Sequence, residues 1–164
     1  MKINLKKHPE LKPANELLKI FPKAIIAGGV ARDLINGKEF KDVDVFIAAR
    51  STVELAKISF DICILKKHFN NAECLVSTFD MVSSQAWLEP TKDGFEVKAT
   101  DLFHHFNKKK ILGFYANVSR GSDHISRIRE KYPDYLPLSL VQPANPVPFD
   151  RPVDDGFDDI PFSL

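Results

Sequence analysis

The sequence predicts a mixed α/β (α+β) domain, a small twisted sheet with flanking helices packed against it. Three observations carry that prediction. Short apolar runs alternate with helical patterns along most of the chain. A glycine pair, Gly28-Gly29, joins one such run to one such helix. Val43–Ala48 (VDVFIA) opens by alternating apolar and acidic residues, as a strand with one chemically active face does.

The elements follow in order. Asn15–Phe21 reads as a short helix with Leu17 and Leu18 inward, placed after Pro13 and ended by Pro22. Ala24–Ala27 is a short strand that stops at the glycine pair, and VARDLIN is a helix that ends at Gly37. After the Val43–Ala48 strand, Thr52–Lys57 is expected as a short helix and Phe60–Leu65 as a second strand of the same type. Phe79–Leu88 reads as a third strand and Phe95–Thr100 as a fourth, across a turn at Lys92-Asp93-Gly94. Helices are expected at Asp101–Asn107 and His124–Tyr132. From Pro133 onward seven prolines favour an extended tail over packed structure. The expected division is a folded domain over 1–140 and a flexible, acidic, proline-rich tail over 141–164.

At 164 residues the chain is long enough to bury a real core. Its net charge of +1 predicts no strong overall pull toward nucleic acid or a membrane. The average hides an asymmetry. Residues 143–164 carry five Asp against Arg151 alone, which leaves −4 on the tail and +5 on the rest. Cys63 and Cys74 have neither metal-site spacing nor the density of a disulfide framework, and read as reduced thiols. The charged N-terminus lacks the apolar run of a secretory signal, and no stretch approaches the roughly 20 apolar residues of a membrane span. A cytoplasmic protein is expected.

The chemistry is concentrated in Gly28–Val45, GGVARDLINGKEFKDVDV. Two glycines between a strand and a helix let the backbone approach a ligand and aim amide donors at an anion such as a triphosphate. Arg32, one turn into that helix, can add a charge-assisted contact to the same phosphates. Asp42 and Asp44 are two apart on a strand, so their side chains project from one face. Carboxylates that close repel unless cations lie between them. A pair of divalent metals about 4 Å apart would relieve the repulsion, activate a hydroxyl and stabilise a leaving pyrophosphate. Mg²⁺ suits such oxygen ligands.

Taken together, the spacing of Gly28, Gly29, Arg32, Asp33, Gly37, Asp42 and Asp44 resembles the nucleotide- and metal-binding signature of CCA-adding enzymes and bacterial poly(A) polymerases, in the DNA polymerase beta superfamily. The clear motif covers about 18 residues. The resemblance implies a nucleotidyltransferase fold with two Mg²⁺ held by Asp42, Asp44 and a third carboxylate from a neighbouring strand. Phe60-Asp61-Ile62 and Phe79-Asp80-Met81 both have the required apolar-acid-apolar setting, and Asp61, on the next expected strand, is favoured. FDMVSSQA resembles the base-selecting segment of CCA-adding enzymes, with Asp80 at the position of the selecting acid. Phe79 and Ser84 stand where that segment has Arg and Asn.

Elsewhere, Ile125, Ile128 and Tyr132 form one helical stripe, with Arg127, Arg129 and Lys131 off it. That basic helix can hold a triphosphate or an acceptor strand, or simply be a solvated surface. His104, His105 and His124 lack partners at ligand spacing and are assigned no metal; Lys108-Lys109-Lys110 reads as a solvated turn, and Trp87 as core. The terminal DDGFDDIPFSL resembles the tip of bacterial single-stranded DNA-binding proteins, followed here by Ser163 and Leu164. That resemblance implies docking of residues 154–162 on a replication or repair protein, the alternative being a solvated or self-docking tail.

The function expected is transfer of a nucleoside monophosphate from an NTP, ATP or CTP above all, to a hydroxyl acceptor. Gly28, Gly29, Arg32 and Asp80 would bind the nucleotide, and Asp42, Asp44 and Asp61 would be catalytic through the metals. The acceptor stays open between tRNA or another RNA end, a protein and a small molecule, and a growth-inhibiting role stays open beside a housekeeping one. The chain has no room for the helical domains with which CCA-adding enzymes grip tRNA, so complete tRNA maturation is not expected. The rival from another class is a catalytically silent nucleotide-binding or partner-recruiting module acting through the tail.

Overall fold

A computed structural model describes residues 1–48, 53–59, 62–67, 69–115 and 121–141. Along them run β1 (Lys2–Asn4), α1 (Lys12–Ile20), β2 (Ile25–Ala27), α2 (Gly29–Ile35), β3 (Val43–Ala48), β4 (Val53–Ser59) and β5 (Ile62–Lys67). Then come α3 (Ala72–Ser77), β6 (Ala86–Thr91), β7 (Gly94–Ala99), α4 (Asp101–Lys108), β8 (Ile111–Tyr115), α5 (Gly121–Lys131) and β9 (Leu136–Leu140). The mixed α/β class is what forms. None of the helices among the described residues is long and apolar enough to cross a membrane.

Local chemistry explains the helix limits. Pro13 sits in the first turn of α1, where its missing N–H has no intrahelical acceptor to lose. Ala14 and Leu18, four residues apart, form the buried stripe of α1, and Pro22 follows its end. Thr100 caps α4 by accepting a bond of 3.1 Å from the Phe103 N–H, and Asn71 caps α3 by accepting from the Cys74 N–H at 2.8 Å.

Seven strands form one sheet in the order β1-β7-β6-β2-β3-β5-β4, and β8 and β9 form a second, two-stranded one. Within the large sheet only β3 and β5 are parallel neighbours; the remaining pairs are antiparallel. The odd residues Val43, Val45 and Ile47 of β3 enter the main core with α1 and α2. Phe46 instead joins Ala27, Leu75 and Val76 in a smaller cluster beneath α3. Side chains alternate across a strand, so Asp44 belongs to the face opposite the main core. That face is the one a ligand can reach.

Three expectations are corrected. The helix expected over Thr52–Lys57 is the edge strand β4, antiparallel to β5 with register shifts after Glu54 and Lys57, and Thr52 lies outside the described residues. Six residues carry helical and strand periods equally well, and the unpaired edge of β5 decides between them. The strand expected over Phe79–Leu88 starts only at Ala86. Before it Val82–Ser84 makes a 3₁₀ turn, with the Ser84 N–H on the Met81 carbonyl and the Gln85 N–H on that of Val82, both at 3.0 Å. Finally, the chain after Pro133 is extended but paired as a strand over Leu136–Leu140, its side chains largely exposed. That segment is β9, parallel to β8, with Pro137 opposite Leu112. The edge position tolerates the proline. Lys110, from the run read as a solvated turn, pairs with Asp134 at 2.7 Å and ties the starts of β8 and β9 together. The rest of the expected tail, 142–164, lies outside the described residues.

The β6–β7 hairpin turns at Lys92 and Asp93, and β1 then packs against β7 through Asn4 opposite Gly94. Gly94 has φ 152°, and a Cβ there would overlap the Ile3 carbonyl. Gly37 has φ 61° but open space around it. Gly94→Ala is therefore expected to cost about 2–4 kcal/mol, strain and overlap together. Gly37→Ala should cost only about 1 kcal/mol, from strain alone. Urea unfolding of the two variants checks the ordering.

Candidate active site

Ala27 pairs across the sheet with Asp44, so the end of β2 delivers the glycine pair to the acidic strand. Gly28 takes φ 89° and ψ −131°, a conformation closed to L side chains. A Cβ at this position would stand 3.6 Å from the Phe79 ring and 3.9 Å from Asp44 Oδ2. The glycine thus keeps the ground beside the Asp44 carboxylate clear.

An open cleft of ≈ 550 Å³ begins there. One wall is formed by Gly29, Arg32, Asp33, Lys41, Asp42 and Asp44. The other is the face of α5 that carries His124, Arg127, Ile128, Glu130 and Lys131. Of the residues expected to act, Gly29, Arg32, Asp42 and Asp44 are brought together in this cleft, and Gly28 lies beside it. Asp42 is exposed and Asp44 half-buried. Asp61 lies outside the described residues. A second depression, of ≈ 660 Å³ beside Met1, Gly37 and Phe40, contains neither Asp42 nor Asp44.

Arg32 is not a simple surface cation. It is buried, with Nε on Asp33 Oδ1 at 2.8 Å, NH1 3.4 Å from Ser84 Oγ, and the guanidinium 5.4 Å from the Tyr132 ring centroid. Asp33 Oδ1 also accepts from the Tyr132 hydroxyl at 2.8 Å, and Oδ2 accepts from Lys131 Nζ at 2.6 Å. Two cations and a phenol thus converge on one buried carboxylate. Asp80 does not line the cleft. Its Oδ2 stands 2.7 Å from Nδ1 of His124, which does.

Among the described residues, the cleft's lining holds four cations (Arg32, Lys41, Arg127, Lys131) and four carboxylates (Asp33, Asp42, Asp44, Glu130). Charge is balanced among these residues, so they alone give a polyphosphate no net attraction. The carboxylate oxygens of Asp42 and Asp44 at the mouth are a hard donor set, the kind Mg²⁺ takes. Among the described residues no three His, Cys, Asp or Glu converge as a metal-binding group. The donor types of this pair fit divalent magnesium.

No protein-family model and no curated protein matches the sequence. Solved structures do. A tRNA-processing enzyme in apo form I matches with a TM-score of 0.52 at 15% identity, over 70% of this chain and 38% of its own. The same description in apo form 2 gives 0.50 at 17%, over 75% and 44%. A tRNA-processing enzyme complex gives 0.50 at 16%, over 75% and 42%. The likeness is one of fold. This chain spans less than half the length of those enzymes.

His124 and Lys131 line the cleft and the buried Tyr132 bonds Asp33 beside it, placements that the sequence did not signal. Each meets an acid on a distant segment, Asp80 or Asp33, so no local spacing announces the pair. The one available sign was the polar face of the His124–Tyr132 helix.

Removing Asp33 leaves the buried Arg32 without its carboxylate. Asp33→Ala is expected to destabilise the fold by about 3–5 kcal/mol, measured by urea unfolding. Tyr132 supplies an alkaline test. Burial, and then the Asp33 carboxylate, push its phenol above the ordinary value of 10.0. The folded state therefore favours the protonated form. That contribution is complete below pH 10.0 and is lost as pH rises toward the folded value. The wild type should lose stability steadily above pH 10.0, and Tyr132→Phe should flatten the slope.

Proposed function

We propose that this chain is a metal-dependent nucleotidyltransferase that moves a nucleoside monophosphate from an NTP to a hydroxyl on an RNA end. The observation that carries this reading is the cleft itself. It gathers Gly29, Arg32, Asp42 and Asp44 on one wall, opposite the basic face of α5. A phosphate chain running past Gly28 and Gly29 meets no Cβ and can approach the backbone, with Arg127 and Lys41 as cations at hand. Asp42, Asp44 and Asp61 are the residues that would hold Mg²⁺, which when bound supplies activation of the attacking hydroxyl and neutralisation of the leaving pyrophosphate. The charge balance among the described lining residues supports the same conclusion, because an NTP gains from accompanying divalent cations there. An RNA acceptor is preferred because the solved structures of like fold are tRNA-processing enzymes.

One observation favours a second reading, nucleotide binding without turnover. Arg32 already spends Nε on Asp33 and NH1 on Ser84. The two readings part on a single measurement, label transfer from α-labelled ATP and CTP, with Mg²⁺, to total cellular RNA. The wild type should transfer label and lose both transfer and NTP binding in EDTA. Asp42→Ala and Asp44→Ala should each lower transfer by about 100-fold or more. Each removes a carboxylate from a repelling pair, so melting temperature should hold or rise slightly. Wild-type transfer by either variant would overturn the two-metal assignment. NTP binding with no transfer in the wild type would select the second reading.

A further inference from the structure

His124 and Asp80 make a carboxylate–imidazole pair that the signature around Asp42 and Asp44 does not include. Asp80 is firmly placed. Its backbone carbonyl accepts the Tyr115 N–H at 2.8 Å, and the next residue, Met81, bridges to Phe114, so the segment is pinned to β8. The Asp80 side chain is 16% exposed and that of His124 34%, which leaves the acid sheltered and the imidazole accessible. A carboxylate only accepts, so Nδ1 of His124 carries the proton and donates it to Oδ2 across 2.7 Å. In neutral His124 that bond fixes the tautomer and leaves a lone pair on Nε2, which has no partner among the described residues. His124 shares its face of α5 with Arg127, Ile128 and Lys131, at helical spacings of three, four and seven, and all four line the cleft that holds Asp42 and Asp44.

We propose that His124 is a catalytic residue, the base that takes the proton from the acceptor hydroxyl, and that Asp80 is the positioning residue that holds it in the required tautomer. The role rests on the transfer reading above. In the step, the acceptor O–H proton passes to His124 Nε2 as the oxygen forms its bond to the α-phosphorus. The bond from that phosphorus to the bridging oxygen breaks, and its electron pair leaves with pyrophosphate. The imidazolium then releases the proton to solvent through its exposed edge. Among the described residues, the charged groups around the cleft are Arg32 and Asp33 from α2, Lys41, Asp42 and Asp44 at β3, and Arg127, Glu130 and Lys131 from α5. It is Asp80, among the described residues, that bonds the His124 ring, through Nδ1.

The test compares wild type, His124→Ala and Asp80→Asn in single-turnover transfer from α-labelled ATP and CTP to total cellular RNA. ¹⁵N spectra of the nucleotide-free proteins run alongside. His124→Ala should slow the chemical step about 10²–10⁴-fold with NTP affinity unchanged, and added imidazole should restore part of the rate. Asp80→Asn places an amide donor against Nδ1. It should slow the same step and shift the His124 proton from Nδ1 to Nε2 in the spectra, a change that a merely structural acid would not produce. A wild-type rate in His124→Ala would overturn the catalytic assignment and leave nucleotidyl transfer standing. An unchanged tautomer and rate in Asp80→Asn would overturn the role of Asp80. A wild type that transfers nothing would overturn the transfer reading, and His124's role with it.

Discussion

The Asp33 carboxylate is the contact on which the cleft depends. It is 3% exposed, and it receives Arg32 from its own helix together with Lys131 and Tyr132 from the end of α5. Burying a carboxylate is costly unless its lone pairs are filled, and here three donors converge on its two oxygens. The consequence is geometric. α2 carries one wall of the cleft and α5 the other, and the same acid ties them together. Tyr132 adds its ring to the arrangement, with Arg32 and Lys38 both over it at 5.4 and 5.9 Å from the centroid. A neighbouring link runs through the Tyr135 hydroxyl, 3.1 Å from both Asn36 Oδ1 and Asn107 Oδ1, and joins the end of α2 to α4.

The sheet supplies the second constraint. The β3 strand commits Val43, Val45 and Ile47 to the main core, which fixes its register against slippage by one residue. Such a slip would bury Asp44 and expose three large apolar side chains. Core packing therefore holds the acidic residue on the open face, and the antiparallel pairing of Ala27 with Asp44 brings the glycine turn beside it. The stability of the core and the geometry of the cleft have the same origin in this strand.

Asp80 illustrates how a fold redistributes roles that a local pattern proposes. Its place in an apolar-acid-apolar segment fitted either a ligand or a base-reading residue. The 3₁₀ turn at Val82–Ser84 and the attachment to β8 turn its carboxylate toward His124 instead. Arg32 behaves similarly. As a charge one turn into a helix it read as a phosphate contact, and in the folded chain two of its five donors are turned to Asp33 and Ser84.

What the sequence determined by itself was whatever depends on neighbours along the chain. The strand Val43–Ala48, the strand–glycine–helix passage at Gly28, the hairpin at Lys92-Asp93 and the capped helix at Asp101 all follow from periods of two or 3.6 and from turn and cap chemistry within a few residues. The cleft's acidic wall was legible for the same reason, since Gly29, Arg32, Asp42 and Asp44 lie within 16 residues of one another. Only the tertiary structure decided the β4 edge strand, the pairing of β9 with β8, and the opposite wall of the cleft. Those depend on which edge lies open and which buried acid lacks a donor, and sequence spacing carries no record of either. Lys131 and His124 became part of the cleft, and the buried Tyr132 part of its support, because Asp33 and Asp80, far away along the chain, needed partners once water was removed from them.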